Sequence, residues 1–89
     1  MEYVYPAIFD PNDDGSFTIT YPDLPGCISE SKTLPNVMFM AQDALAQWLG
    51  YLANKNQVIP VASDIRKIKP SGEKFVSLVW VNFSQEKLA

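Results

Sequence analysis

Few side chains in this 89-residue chain could carry out chemistry. Its best candidates are two carboxylates, Asp10 after the first strand-like stretch and Asp43 within a helical one. Two-metal nuclease chemistry needs several such groups around two divalent cations about 3.5–4 Å apart. The last strand-like stretch adds no carboxylate, and Asp43 falls outside the apolar stripe of its helix. A nuclease acting through Asp10 and Asp43 is therefore a third hypothesis, and we predict no catalytic residue.

Cys27 is the only thiol, and the chain contains no histidine. A cysteine nucleophile needs a nearby base or positive charge to form its thiolate, and the turn around Cys27 supplies neither. Burial as a small apolar side chain explains Cys27 better. A single cysteine also excludes an intramolecular disulfide and a cysteine-based metal site within one chain. The sequence predicts neither a metal nor a cofactor.

Composition predicts one small globular domain with an acidic surface. The chain is 47% hydrophobic and 12% aromatic, with a net charge of −3. Residues 1–43 hold seven acids and one base, whereas residues 44–89 hold six bases and three acids, giving −6 and +3. Nucleic-acid binding requires a basic surface that displaces counterions from phosphates. The acidic first half therefore favours a basic protein partner.

Four stretches are typical of β-strands. The first, Glu2–Phe9, contains Pro6, which indicates an edge strand or a position whose missing N–H faces away from the ladder. A turn rich in Asp and Asn then leads to Ser16–Tyr21, where apolar and polar residues alternate. A third short strand is predicted at Cys27–Ser31. The fourth, Phe75–Phe83, is apolar on both faces, which is typical of an interior strand or of one covered by a partner.

A helix is predicted between the third and fourth strands, from Leu34 to about Lys55. Thr33 is the predicted N-cap, with Pro35 in the first turn, where its missing N–H costs nothing. Asn54 and Asn56 should end the helix, because Asn tolerates the left-handed conformation. The apolar side chains recur with a period of 3.6 residues and form a stripe: Val37, Ala41, Ala44, Leu45, Trp48, Leu49 and Leu52.

These elements predict an α+β fold with the order β-β-β-α-β. The first three strands form an antiparallel meander, the helix lies across one face of the sheet, and the last strand returns to it. If the last strand lies beside the first, we expect the two to be parallel, joined by a right-handed crossover. No internal repeat, transmembrane stretch or signal peptide is visible, and we expect a cytoplasmic protein.

The stretch Tyr21–Leu34, YPDLPGCISESKTL, carries a family resemblance. Its PDLPGC hexapeptide, the Thr-Leu pair and the Ala-rich helix with a tryptophan resemble the HicB family of antitoxin domains. The resemblance extends over YPAIFDPNDDGSFTITYPDLPGC, AQDALAQWLGYLANKNQVIPVASDI and FVSLVWVNFS, which is nearly the whole chain in the same order. It implies a truncated ribonuclease H-like fold.

The resemblance also implies a function. HicB-like antitoxins neutralise HicA-like toxins, which are small basic ribonucleases that cleave mRNA, so this chain is expected to cover a toxin's RNA-binding and catalytic surface. Residues 1–89 are expected to form a single HicB-like domain. Family members typically continue into a DNA-binding segment, so DNA binding is not expected of these residues. Self-association into a homo-oligomer is expected from exposed sheet edges. The alternative is an oligomeric interaction or ligand-binding module without a toxin.

Six residues are candidates for contact with a partner. The acids among them share one sign and lie in the acidic half of the chain, although hairpin-turn roles also explain the two in the first turn. The tryptophan could anchor an interface, because its neighbours Val79 and Val81 occupy the opposite face of the strand. The candidates are Asp10, Asp13, Asp14, Asp23, Glu30 and Trp80.

Overall fold

In the computed structural model, which describes residues 2–82, the predicted elements occur in the predicted order. The strands are β1 (Glu2–Pro11), β2 (Phe17–Thr20), β3 (Ile28–Ser31) and β4 (Phe75–Asn82), and the helix α1 spans Val37–Asn54. A 3₁₀ turn at Ile65–Lys67 precedes β4. Phe83, the predicted end of the last strand, lies outside the described residues. The α+β class and the order β-β-β-α-β are confirmed.

The four strands form one sheet in the order β3-β2-β1-β4, with every neighbouring pair antiparallel. β1 is therefore an inner strand, so of the two alternatives given for Pro6 the edge strand does not hold, and a position whose missing N–H faces away from the ladder remains. β2 pairs only with Ile8–Pro11, however, whereas β4 pairs with Glu2–Phe9. Pro6 thus lies where β1 has a neighbour on one side only, so its missing N–H breaks no bond to β2.

The direction of β4 corrects the sequence analysis, which predicted a parallel return. β4 runs antiparallel to β1, with Phe75 opposite Phe9 and Asn82 opposite Glu2. The reason is the irregular segment 55–74. The helix brings the chain back to the end of the sheet where β1 begins, and this segment then carries it to the opposite end before β4 starts. A direct return from the helix would have given the parallel pair.

The helix begins later than predicted and ends as predicted. Asn36 is its N-cap residue, and Thr33 is not, because Pro35 and Asn36 first form a turn in which the Val37 N–H donates to the Leu34 carbonyl at 3.1 Å. At the other end, Asn56 adopts φ 54°, as expected of a left-handed C-terminal residue. No helix among residues 2–82 is long and apolar enough to cross a membrane.

One hydrophobic core lies between the sheet and α1. It receives alternate residues of β1 and β4, such as Tyr5, Phe9 and Val79, together with every fourth residue of the helix. Two side chains of the Tyr21–Cys27 turn also bond the helix backbone: the Tyr21 hydroxyl donates to the Ala41 carbonyl, and the Cys27 thiol lies 3.6 Å from the Ala44 carbonyl. The turn is thereby fixed to the helix.

Candidate protein-binding face

The face of the sheet opposite α1 is here called the outer face. Within the described residues, side chains at its centre remain exposed to solvent. Because successive side chains of a strand point to opposite faces, its members are the alternates of the core residues. The register places them side by side. They are Glu2, Val4, Pro6, Ile8 and Asp10 of β1; Thr18 and Thr20 of β2; Ile28 and Glu30 of β3; and Val76, Leu78, Trp80 and Asn82 of β4.

The middle of the outer face is apolar and open to solvent. Val4 lies opposite Trp80 in the β1–β4 ladder, and Pro6 lies opposite Leu78. Val4, Leu78 and Trp80 are 45%, 50% and 51% exposed, and we call these three residues the apolar centre. Pro6, which belongs to the same face and lies opposite Leu78, is buried. Contiguous exposed apolar side chains of this kind mark interaction sites more often than scattered ones do.

Acidic residues flank the apolar centre at both ends. Asp10 lies opposite Thr18, and Thr18 lies opposite Glu30, so the two acids share one row across three strands. Glu2 lies at the other end of β1, opposite Asn82. At about 3.3 Å per residue, Glu2 and Asp10 are roughly 26 Å apart along the strand. No outer-face residue of the described strands is Lys or Arg.

The acids of the first turn have a local task. Asp14 accepts hydrogen bonds from the backbone N–H of Ser16 at 3.0 Å and from its hydroxyl at 2.6 Å. These bonds favour the charged form and lower the pKa of Asp14. Asn12 closes the same turn, donating to the hydroxyl oxygens of Ser16 and Thr18. Asp13 is exposed at the tip. The structure therefore places both acids in the hairpin turn, beyond the end of the outer face.

Asp23 lies at a different place and holds the segment after the helix. Its carboxylate accepts from the backbone N–H of Ser63 at 2.9 Å and from the Ser63 hydroxyl. The Tyr5 hydroxyl donates to the Pro60 carbonyl of the same segment. Burial is the main cause that raises the pKa of Tyr5. Asp23 thus tethers the path that leads the chain to β4.

Of the six predicted partner residues, the structure brings together Asp10, Glu30 and Trp80 on the outer face and separates the other three from it. Sequence reasoning missed Glu2, Val4 and Leu78, which complete the same surface. The signal was present in part, because β4 is apolar at alternate positions on both faces. Since β4 is an edge strand of the described sheet, the alternative of an interior strand is wrong, and the covering partner stays a prediction.

The side of the molecule that carries α1 holds the other candidates for chemistry. Burial raises the pKa of the Cys27 thiol to about 11, and the predicted burial of this side chain is confirmed. Trp48 is partly buried against the core, also as predicted, with its ring against Gly26. Asp43 is exposed on α1 and accepts a hydrogen bond from Gln47 at 2.9 Å.

The carboxylates proposed for two-metal chemistry do not converge. Asp10 is on the outer face and Asp43 is on the helix, so the sheet lies between them. Within residues 2–82, no three His, Cys, Asp or Glu side chains form a group that could hold a metal ion. What the described residues do offer is an exposed apolar surface with acidic ends. Such an arrangement is typical of the class of small protein-binding domains.

Comparison with known proteins identifies the family. Residues 5–86 match the family described as HicB_like antitoxin of bacterial toxin-antitoxin system, and the chain belongs to this family. A curated relative, Antitoxin HicB 1 of Photorhabdus laumondii, is 26% identical over 74 residues. That match covers 83% of this chain and 44% of the antitoxin, so the chain spans less than half of that relative's length.

Solved structures share the fold. A chain of the toxin–antitoxin complex from Streptococcus pneumoniae superposes with a TM-score of 0.81 at 18% identity, covering 98% of this chain and 72% of that one. The N-terminal domain of the Burkholderia pseudomallei antitoxin HicB superposes with a TM-score of 0.76 at 20% identity, covering 90% of this chain and 99% of that domain. The predicted family and fold are therefore confirmed.

Proposed function

We propose that this chain is the toxin-neutralising domain of a type II antitoxin, which binds a small basic HicA-like ribonuclease and masks the surface that contacts mRNA. The observation that carries the proposal is the outer face, where an apolar centre is left open between acidic ends. A ribonuclease must present a basic surface to phosphates. An acidic surface with an apolar middle competes directly for such a site.

The proposed mechanism needs no chemistry from this chain. Neutralisation requires only that the complex outlast encounters between the toxin and mRNA, so affinity and coverage matter and a catalytic group does not. We therefore propose that the chain is not an enzyme and does not itself bind nucleic acid. We also propose that it acts in the cytoplasm, where the toxin would meet its mRNA substrate. The single core of residues 2–82 supports neutralisation by one structural unit.

The test combines binding with activity. The 89-residue chain is purified with the protein encoded by the neighbouring gene, and mRNA cleavage by that protein is measured with and without the chain. We expect a stable complex in which cleavage stops at a stoichiometric amount of the chain. Binding with undiminished cleavage, or no complex at all, would refute the proposal.

A second candidate function is an oligomeric interaction module without a toxin. It is favoured by the two edge strands, β3 and β4, which can pair with strands of another copy. One carbonyl of β4 is already occupied, since the Gln42 side chain donates to the Trp80 carbonyl at 2.9 Å. β3 is therefore the more open edge. Sedimentation velocity of the chain alone, over a hundredfold concentration range, distinguishes an oligomer from a monomer.

A further inference from the structure

We propose that the toxin docks on the outer face, with Trp80 as its main anchor, and that the docking surface of the toxin has an apolar depression flanked by two basic regions. This inference rests on the proposed function and adds the surface, the anchor and the chemistry of the partner. The argument depends on the arrangement of exposed apolar side chains, on the charge around them, and on the dimensions of the face.

The outer face brings exposed apolar side chains together across the β1–β4 ladder. Directly opposed residues of an antiparallel pair have Cβ atoms about 4.5–5.5 Å apart, so the Val4 and Trp80 side chains are neighbours on the same surface. On α1, Phe39 and Tyr51 are also exposed, but they lie twelve positions apart in the sequence, which separates them by roughly 18 Å along the axis. Among the described residues, the outer face places three half-exposed apolar side chains side by side, Val4, Leu78 and Trp80, whereas the helix-side Trp48 is partly buried against the core.

Phe39 extends this surface around the edge of the sheet. A shallow groove runs between α1 and β4, and its lining includes Phe39, Gln42, Asp43, Ala46 and Trp80. The hydrogen bond from Gln42 to the Trp80 carbonyl crosses this groove and fixes the backbone that carries the anchor. A half-exposed tryptophan on a fixed strand loses little side-chain freedom when it is covered, as is typical of interface anchors.

Charge favours a basic partner over a second copy of this chain. Two outer faces brought together with parallel strands would place the Asp10–Glu30 row on its own counterpart. With antiparallel strands, that row would meet Glu2 of the other copy. Acid would oppose acid in both arrangements, and like charges placed together at an interface are costly. A basic toxin would instead meet an acid at each end.

The distances between Trp80 and the acidic residues of the outer face predict where the toxin must carry basic residues. Trp80 lies opposite Val4, six residues before Asp10 on β1, so the anchor and the acidic row are roughly 20 Å apart. Glu2 lies on the other side of the anchor, two residues from Val4, or about 7 Å along the strand. The toxin should therefore carry Lys or Arg close to one side of its apolar depression and a second basic region about 20 Å away on the other side.

The two tryptophans provide a test that needs no destabilising change. Trp80 is on the outer face and Trp48 is on the helix side, so their indole N–H signals in a nitrogen–proton correlation spectrum report the two sides separately. They are assigned with Trp80→Phe and Trp48→Phe. On titration with the protein encoded by the neighbouring gene, we expect the Trp80 indole signal to shift and the Trp48 signal to stay. A shift of Trp48 alone would overturn the inference.

A matched pair of substitutions measures the anchor. Trp80→Ala and Tyr51→Ala each remove an aromatic side chain of similar exposure, 51% and 49%, from opposite sides of the molecule. For an interface anchor we expect Trp80→Ala to weaken toxin binding at least about 30-fold, and Tyr51→Ala to change it less than about threefold. Equal effects of the two changes, with both variants folded by circular dichroism, would overturn the choice of face.

A second pair measures the charge. Asp10→Asn with Glu30→Gln removes two outer-face acids, and Asp13→Asn with Glu73→Gln removes two exposed acids outside the outer face and the groove. We expect only the first pair to slow association with the toxin, and we expect the difference to shrink at high salt, where charges are screened.

If the wild-type chain does not bind the toxin, the proposed function fails together with the inference. If it binds and every outer-face variant binds equally well, only the inference fails. A concentration-dependent Trp80 shift without toxin would assign the face to a second copy and overturn the inference.

Discussion

Replacing Gly26 by alanine should destabilise the domain by about 2–3 kcal/mol, through two effects that can be measured separately. Gly26 has φ +98°, where a residue with a Cβ is strained. A Cβ built there would also lie 2.9 Å from Cη2 of Trp48, so the ring would have to move by about half an ångström to reach ordinary contact. The positive φ accounts for about 1–2 kcal/mol and the contact for about 1 kcal/mol or more.

For a domain of 60–100 residues, each kcal/mol lowers Tm by about 4–8 °C, so Gly26→Ala should lower it by about 8–24 °C. Gly15→Ala is the matched control, because Gly15 has φ +89° but nothing within 4 Å of a Cβ. It should show the backbone cost alone. Thermal and urea unfolding of both variants, followed by far-ultraviolet circular dichroism, gives the difference between them.

A third measurement isolates the ring contact. In a Trp48→Leu background the contact is absent, so Gly26→Ala should cost about as much there as Gly15→Ala costs in the wild type. The reasoning is refuted if Gly26→Ala costs no more than Gly15→Ala in the wild-type chain. That result would mean that the Trp48 ring moves aside freely to make room for the Cβ.

Three further predictions concern other parts of the fold. At pH 8 the Cys27 thiol, with its pKa raised to about 11 from 9.0, should react with a disulfide reagent at least about 100-fold more slowly in the folded chain than in urea, measured by absorbance. The pKa of Asp14 is lowered in the folded chain by its hydrogen bonds from Ser16, so these bonds should contribute fully to stability above the ordinary pKa of an aspartate. The contribution should be lost as pH falls through the lowered pKa of the folded chain. Asp14→Asn should therefore flatten the dependence of the free energy of unfolding on pH in that range. Asp23→Ala should speed proteolysis of residues 55–64 more than Ser63→Ala does, because the latter keeps the backbone N–H donor; equal rates would contradict the tether.

The elements of the fold followed from periodicity, because strands and helix each bury one face and the apolar residues repeat accordingly. The start of the helix did not, since Thr33 and Asn36 are both plausible caps and only the turn at Pro35 decides between them. The direction of β4 was also missed. It depends on how far the irregular segment 55–74 travels, and the anchors of that segment, such as Asp23 with Ser63, join residues forty positions apart.

The candidate site was predicted in part for a related reason. Each of its acids was visible as an acid, but membership of one face depends on strand register, which places Asp10 and Glu30 in a single row through Thr18. Register likewise shows that Val4 lies opposite Trp80 and belongs to the same surface. For Asp14 the sequence offered both a hairpin-turn role and a partner-binding one, because its position in the Asp- and Asn-rich turn is compatible with either. Its bonds to Ser16 make that distinction.

The uneven pairing of β1 has a consequence for how a newly made chain folds. Within residues 2–82, residues 2–7 of β1 pair with no residue of β2, and their strand partners lie in β4, 70 to 80 positions later. At 5–20 residues per second, a ribosome needs about 4–16 s to synthesise the intervening chain. Until then β1, β2 and β3 can form their meander by local contacts, but residues 2–7 of β1 have no strand to pair with. The surface that contains Trp80 is complete only after this last pairing, so a nascent chain would gain the outer face only once β4 has been synthesised.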